Sequence, residues 1–360
     1  MQDAGFERLL MQWNKEQNDR PMPWKGEKNP YKVWLSEIIL QQTRVEQGWA
    51  YYERFVKKYP DIRLLAKAKD EEVFKLWEGL GYYTRCKNLL HTARFINKNY
   101  KGKFPSTYEK IVALKGVGPY TAAAIASFCF DLPYAVVDGN VFRILSRVFG
   151  IATPIDTTEG KKQFKELADK MLDKKSPGLY NQAIMDFGAT VCKPMLPLCA
   201  GCMLNKICKA YQAATVNKLP VKEKVLSKKQ RWFSYFIFEA GEKTFVRKRT
   251  EKDIWQNLFE FYLIESASHR EWDKKMIADF LKQQLGIDSH EVKLITTAAS
   301  QQLTHQHIKG HFIVVKLNNI PPKLKTKDSL WLSAQEMAHL PFPAFINQHL
   351  ETKNVQPALF

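Results

Sequence analysis

The chain has 360 residues, 45% hydrophobic and 12% aromatic, enough to bury more than one core and too apolar for a disordered protein. No apolar run approaches a membrane span, and six cysteines in a chain this long do not make a disulfide-stapled miniprotein. The 55 Lys+Arg against 37 Asp+Glu leave a formal charge of +18, which favours a polyanionic partner.

Residues 1–213 are expected to be mainly helical, because apolar positions recur at helical spacing between Gly and Pro breaks. The opening MQDAGFERLLMQWNKEQNDR reads as an amphipathic helix of mixed charge, not as a secretory leader. Asn29-Pro30 is a helix start, since Asn caps the first amides and Pro tolerates the first helical position. On that helix Glu37 has Val33 at i−4, Trp34 at i−3 and Leu40 at i+3, so it points along an apolar face. Burial would raise its pKa and suit it to act as a general acid. Gln41, Gln42 and Thr43 are expected to continue the same helix, with side chains able to hydrogen-bond base edges.

Residues 81–119 carry eight basic side chains and one acid, Glu109, a density beyond what solubility needs. Within KGVGPYT, Gly116, Val117 and Gly118 form a turn between helical stretches, able to bring amides and a helix N-terminus to a phosphate; a plain interhelical turn is the alternative. Downstream, Asp138 interrupts the apolar AVVDGNVFR and must be paired, hydrogen-bonded, capping or functional. One buried, protonated acid beside one ionised carboxylate is the arrangement that cleaves glycosidic bonds through an oxocarbenium-like transition state.

Cys192, Cys199, Cys202 and Cys208 follow with the spacing C-x6-C-x2-C-x5-C in CKPMLPLCAGCMLNKIC. Structural zinc usually takes paired C-x2-C knuckles and only one is present, so an iron–sulfur cluster of the [4Fe–4S] type fits better, with zinc and disulfides as alternatives. Cys86 and Cys129 are expected as free thiols in a reducing, cytoplasmic compartment. Residues 214–230 read as a basic interdomain linker, residues 231–345 as an α+β domain rich in strand-forming aromatic and β-branched residues, and residues 346–360 as a tail.

WLSEIILQQTR, GLGYYTR, LKGVGPYTAAAI, VVDGNVFR, NQAIMDFGA and the four-cysteine loop occur in the order found in adenine DNA glycosylases of the MutY family. The chain resembles that family over essentially its whole length. The resemblance implies an α-helical helix-hairpin-helix glycosylase region with an iron–sulfur loop, one [4Fe–4S] cluster per chain, and a C-terminal Nudix-like domain. It implies a monomer that removes adenine mispaired with 8-oxoguanine or guanine in double-stranded DNA, at the bacterial nucleoid. By motif position, Glu37 would protonate the adenine ring, Asp138 would stabilise the sugar cation covalently, and Tyr120 and Asn140 would support them by hydrogen bonding. Gln42 and Tyr82 match the wedge positions that fill the gap left by a flipped base.

Trp24 and Lys25 match the adenine pocket, with Lys25 standing where many relatives have Arg, so the planar fork is lost. Endonuclease III-like relatives, which also cut the strand, carry a lysine nucleophile where this chain has Tyr120; that bifunctional lyase and a noncatalytic iron–sulfur DNA-binding protein are the competing readings. The second domain lacks the glutamate run of Nudix hydrolases. Where the family has a Phe-Ser-His loop that senses 8-oxoguanine, this chain has Leu303, Thr304 and His305, keeping a hydroxyl but losing the ring. His307 and His311 alternate with apolar residues and raise a competing zinc site that lacks a fourth ligand.

Overall fold

The computed structural model describes residues 2–223, 228–296 and 299–355. The chain forms two compact units: Met1–Lys67 with Lys87–Val225, and Ala68–Cys86 with Leu226–Phe360. The helices run α1 (Gln2–Gln17), α2 (Pro30–Leu40), α3 (Val45–Lys58), α4 (Ile62–Lys67), α5 (Asp70–Trp77), α6 (Tyr83–Asn99), α7 (Tyr108–Val112) and α8 (Pro119–Phe130). They continue as α9 (Gly139–Phe149), α10 (Thr158–Met171), α11 (Pro177–Thr190) and the single turn α12 (Lys209–Gln212). Among the described residues no helix is long and apolar enough to cross a membrane.

The core of the first unit follows from the helical spacing of its apolar residues. Phe6, Leu10 and Trp13 of α1 pack with Val141, Ile144, Leu145 and Val148 of α9 and with Tyr180, Ala183, Ile184 and Phe187 of α11. α9 is therefore the central strut: one face is apolar, while its N-terminus and its arginines are free to build sites. The first half of the expected linker is pinned to this unit, because Arg147 Nε donates to the carbonyls of Val216 at 3.0 Å and Leu219 at 3.1 Å. Residues 224–227 of that stretch lie outside the described residues.

The second unit is built on one eight-stranded sheet: β1 (Lys229–Ala240), β2 (Lys243–Lys248), β3 (Phe259–Glu260), β4 (Tyr262–Ser266), β5 (His290–Ile295), β6 (Ala299–Gln302), β7 (Gln306–Leu317) and β8 (Ser329–Leu332). β1 and β7 pair in parallel from Lys229↔Gln306 to Ala240↔Leu317. Both faces of this pair are covered, which is why WFSYFIF shows no polar alternation. Phe236 and Phe238 meet Trp272, Ile277 and Leu281 of the α13 (Lys274–Phe280) layer, while Tyr235 and Phe312 stack toward Phe345. Beyond the short α14 (Ala334–Ala338), Phe345 is the second residue of α15 (Ala344–Val355); residue 346, read from sequence as the start of a tail, is a fully buried Ile inside that helix.

Candidate active site

Glu37 owes its position to the burial of α2. Asn29 caps the helix by accepting from the amides of Tyr31 at 3.0 Å and Lys32 at 3.4 Å, and every residue from Tyr31 to Ile39 except Lys32 is buried. Glu37 is only 6% exposed. Burial pushes its carboxyl up to about 7, against the hydrogen bond from Tyr120 and with added repulsion from Asp138. At neutral pH a large fraction of this side chain therefore carries a proton. The helix then stops sooner than the sequence suggests: Leu40 is its last residue and Gln42 turns left-handed with φ 59°, so Gln41, Gln42 and Thr43 do not continue α2. Gln41 leaves the axis and donates from Nε2 to Thr121 Oγ1 at 3.3 Å.

Tyr120 and Asn140 are each the second residue of a helix, α8 and α9, and Asp138 is the N-cap of α9. The Val141 amide donates to Asp138 Oδ1 at 2.8 Å and Asn140 Nδ2 to its Oδ2 at 2.7 Å. The capping and functional readings of Asp138 are thus compatible, since one oxygen caps while the other is oriented by Asn140. Burial raises the Asp138 pKa, and the Val141 and Asn140 donors oppose the rise. The Tyr120 hydroxyl lies 3.2 Å from Met185 Sδ, and burial together with the Glu37 charge holds its pKa well above the usual phenol value, so it remains a donor.

Glu37 opens into a cavity of about 300 Å³ that is also lined by Trp24, Lys25, Ser36 and Gln182. The volume falls at the lower end of small-ligand pockets. Trp24 is braced edge-on by Tyr52, with ring centroids 5.3 Å apart. The wall is organised by a residue whose role the sequence did not reveal, Asp186, whose carboxylate is fully buried. It accepts from Arg20 Nη1 at 2.9 Å, Asn18 Nδ2 at 3.0 Å and Gln182 Nε2 at 3.1 Å, while Lys25 Nζ sits 3.5 Å away. Lys25 therefore makes one loose ion pair, and Arg20 supplies the close guanidinium contact that Lys25 cannot.

Arg143 was missed as well. From α9 its Nη2 donates to Asn140 Oδ1 at 2.8 Å and to Gly188 O at 2.7 Å, and its Nε donates to Cys192 O at 2.7 Å. It ties the Asp138–Asn140 corner to the start of the cysteine loop. The lone acid in NQAIMDFGA and the buried arginines of VFRILSR were the available signals, but their partners are distant in sequence.

In the 116–118 turn, Gly116 has φ +81°, and a Cβ there would come 2.7 Å from Asn88 Cβ. Gly118 has an ordinary φ of −89° as the N-cap of α8, and nothing lies within 4 Å of where its Cβ would be. Val117 is buried and its amide is engaged by Leu114 O at 3.1 Å. In the second unit Tyr82 is 39% exposed with φ 47°, so both expected wedge residues, Gln42 and Tyr82, sit in the left-handed region that non-glycine residues seldom occupy. The Tyr82 hydroxyl is hydrogen-bonded to that of Thr304. Thr304 and His305 are exposed at the tip of the turn between β6 and β7.

Cys192, Cys199, Cys202 and Cys208 together line one small cavity of about 30 Å³ with Arg147, Phe187, Leu204 and Tyr211. Among the described residues no three His, Cys, Asp or Glu side chains converge on a single metal-ion position. Arg147 holds the loop through Nη1 to Lys193 O at 2.8 Å and Nη2 to Pro194 O at 3.2 Å, and its Nη1 lies 3.5 Å from Cys192 Sγ.

This frame is that of a base excision repair protein. Residues 35–170 match the family model of the HhH-GPD superfamily base excision DNA repair protein, and residues 234–352 match that of a NUDIX domain. A solved thermostable thymine-DNA glycosylase superposes with a TM-score of 0.54 at 29% identity, covering 59% of this chain and 97% of that one. An endonuclease III bound non-covalently to DNA shares the fold, with a TM-score of 0.51 at 20% identity over 59% of this chain and 97% of that one. The adenine DNA glycosylase of Buchnera aphidicola subsp. Acyrthosiphon pisum is 31% identical over 361 residues, covering 97% of this chain and 98% of that protein. The human adenine DNA glycosylase is 40% identical over 225 residues, covering 60% of this chain and 41% of that protein. The chain belongs to the adenine DNA glycosylase family.

Proposed function

We propose that this protein is a monofunctional N-glycosyl hydrolase that excises adenine mispaired with 8-oxoguanine or guanine from double-stranded DNA. The observation that carries this reading is Glu37, a carboxyl that holds its proton to about pH 7, at the wall of a base-sized cavity and within electrostatic reach of Asp138. With adenine flipped into the cavity, Glu37 donates a proton to the ring and turns the base into a neutral leaving group. Positive charge then develops on the sugar, where Asp138, oriented by Asn140 and the Val141 amide, stabilises it in a covalent or close ionic adduct. Water completes the hydrolysis, activated by Glu37 in its deprotonated form. Tyr120 positions Glu37 and supplies no amine, which favours a monofunctional enzyme over a lyase.

Gly116, Val117 and Gly118 would bind a DNA phosphate, Gln42 and Tyr82 would fill the gap in the stack, and Trp24 and Lys25 would line the adenine site. Thr304 and His305 would read the base opposite. Cys192, Cys199, Cys202 and Cys208 would hold one [4Fe–4S] cluster, which supplies structural ligation that fixes the loop. The protein acts as a monomer in the cytoplasm, at the nucleoid.

A duplex with a single A·8-oxoguanine pair tests the assignment. Strand cleavage should need hot alkali after incubation with the enzyme. Cleavage without alkali would make it a lyase, and an intact adenine would make it a noncatalytic binder.

A further inference from the structure

Arg231, the third residue of β1, is 7% exposed, yet none of its donors is idle. Nε and Nη2 grip Glu265 at 2.7 and 2.6 Å, and Nη1 and Nη2 grip Asp253 at 2.8 and 2.7 Å. Two carboxylate forks fix both the place and the plane of the guanidinium. The one remaining N–H, on Nη1, reaches Gln306 Oε1 at 3.1 Å. Gln306 is the first residue of β7, next to the Leu303–Thr304–His305 turn, in which Thr304 and His305 are exposed.

The turn closes on that glutamine. The Gln306 carbonyl accepts from the Leu303 amide at 2.7 Å and from Gln302 Nε2 at 3.0 Å, and the His305 carbonyl accepts from the Lys229 amide at 3.0 Å. Gln306 is thus pinned at both ends, its main chain by the turn and its side chain by a guanidinium that cannot rotate. A shift of Gln306 would swing Thr304 and His305 with it.

We infer that Arg231 and Gln306 are a positioning pair that sets the 303–305 turn for discrimination of the base opposite the excised adenine. The inference rests on the reading of Thr304 and His305 given above.

Single-turnover rates on A·8-oxoguanine and A·G duplexes, with melting temperatures, test it in four variants. Gln306→Leu keeps both forks and the main-chain bonds but removes the acceptor; it should lower the ratio of the two rates by about 3- to 10-fold, the size of one lost hydrogen bond, with the A·G rate within about twofold of wild type. Gln306→Glu restores an acceptor and should keep the wild-type ratio, which a merely structural loss would not. Arg231→Lys keeps the charge, loses the forks and should lower the ratio at least as far; should it not fold, Gln306→Leu decides alone. Thr304→Ala/His305→Ala is the reference. If that reference lowers the ratio and Gln306→Leu does not, the positioning pair is wrong and the turn still reads the lesion. If neither lowers it, the turn does not read the lesion and the inference falls with it.

Discussion

Glu37 sets the pH behaviour of the whole reaction. Its proton must be present for adenine to leave, and its pKa of about 7 places the loss of that proton in the neutral range. The single-turnover rate should therefore fall about tenfold per unit as pH rises above 7. Asp138 must be ionised, and its raised pKa puts the acidic limb above the usual carboxylate range. A rate flat from pH 6 to 9 would contradict the Glu37 assignment. The same shift predicts a stability effect. Because the folded pKa lies above the unfolded one, the protonated form favours the fold, and that stability is lost as pH rises from about 4.5 to about 7. Glu37→Gln should thus be more stable than wild type at pH 8, by up to roughly 3 kcal/mol, and gain nothing at pH 4; denaturant melts at the two pH values read the difference. Asp186→Asn keeps the size but removes the charge that Arg20 and Lys25 pair with, so it should cost about 2–3 kcal/mol in stability and slow adenine excision about tenfold or more. A variant with wild-type rate and melting temperature would reduce the hub to decoration.

At the scale of elements, the 116–118 turn allows a clean separation of fold from ligand. Gly116→Ala meets both a positive φ and Asn88 at 2.7 Å, and should destabilise the protein by about 1–3 kcal/mol. Gly118→Ala meets neither, so the melting temperature should hold while duplex affinity falls, because the added methyl would face the DNA backbone. Unchanged affinity of Gly118→Ala would remove this turn from the DNA interface. The turn, α2 and α9 were legible in the sequence because capping and burial are local: Asn29-Pro30 starts one helix, Asp138 caps another, and Glu37 has apolar neighbours one turn away. The end of α2 was not legible, since no Gly or Pro follows Leu40 and the reversal falls on Gln42. Asp186 and Arg143 escaped for another reason. An acid or arginine on an apolar helix signals a partner, but only folding brings Arg20 or Cys192 to it. The short strand β6, Ala-Ser-Gln-Gln, has little apolar content of its own and exists through pairing with β7.

For the molecule as a whole, the net charge of +18 predicts an affinity for any duplex that drops steeply with salt, while the preference for a mispair survives. The cysteine loop should behave as a folding element. Cys199→Ala or Cys202→Ala should lose iron and sulfide together with solubility or duplex binding, because the ligands hold the loop that Arg143 and Arg147 anchor to α9. Stoichiometric zinc in the colourless wild-type protein would overturn the cluster. The central claim is that a protonated Glu37 drives loss of adenine, and it meets its most direct test in the single-turnover rate of Glu37→Gln on a duplex with one A·8-oxoguanine pair. The variant should bind that duplex within about tenfold of wild type and release no adenine, since the lost group acts on the barrier and not on the bound ground state. Adenine release by Glu37→Gln at the wild-type rate would contradict the account.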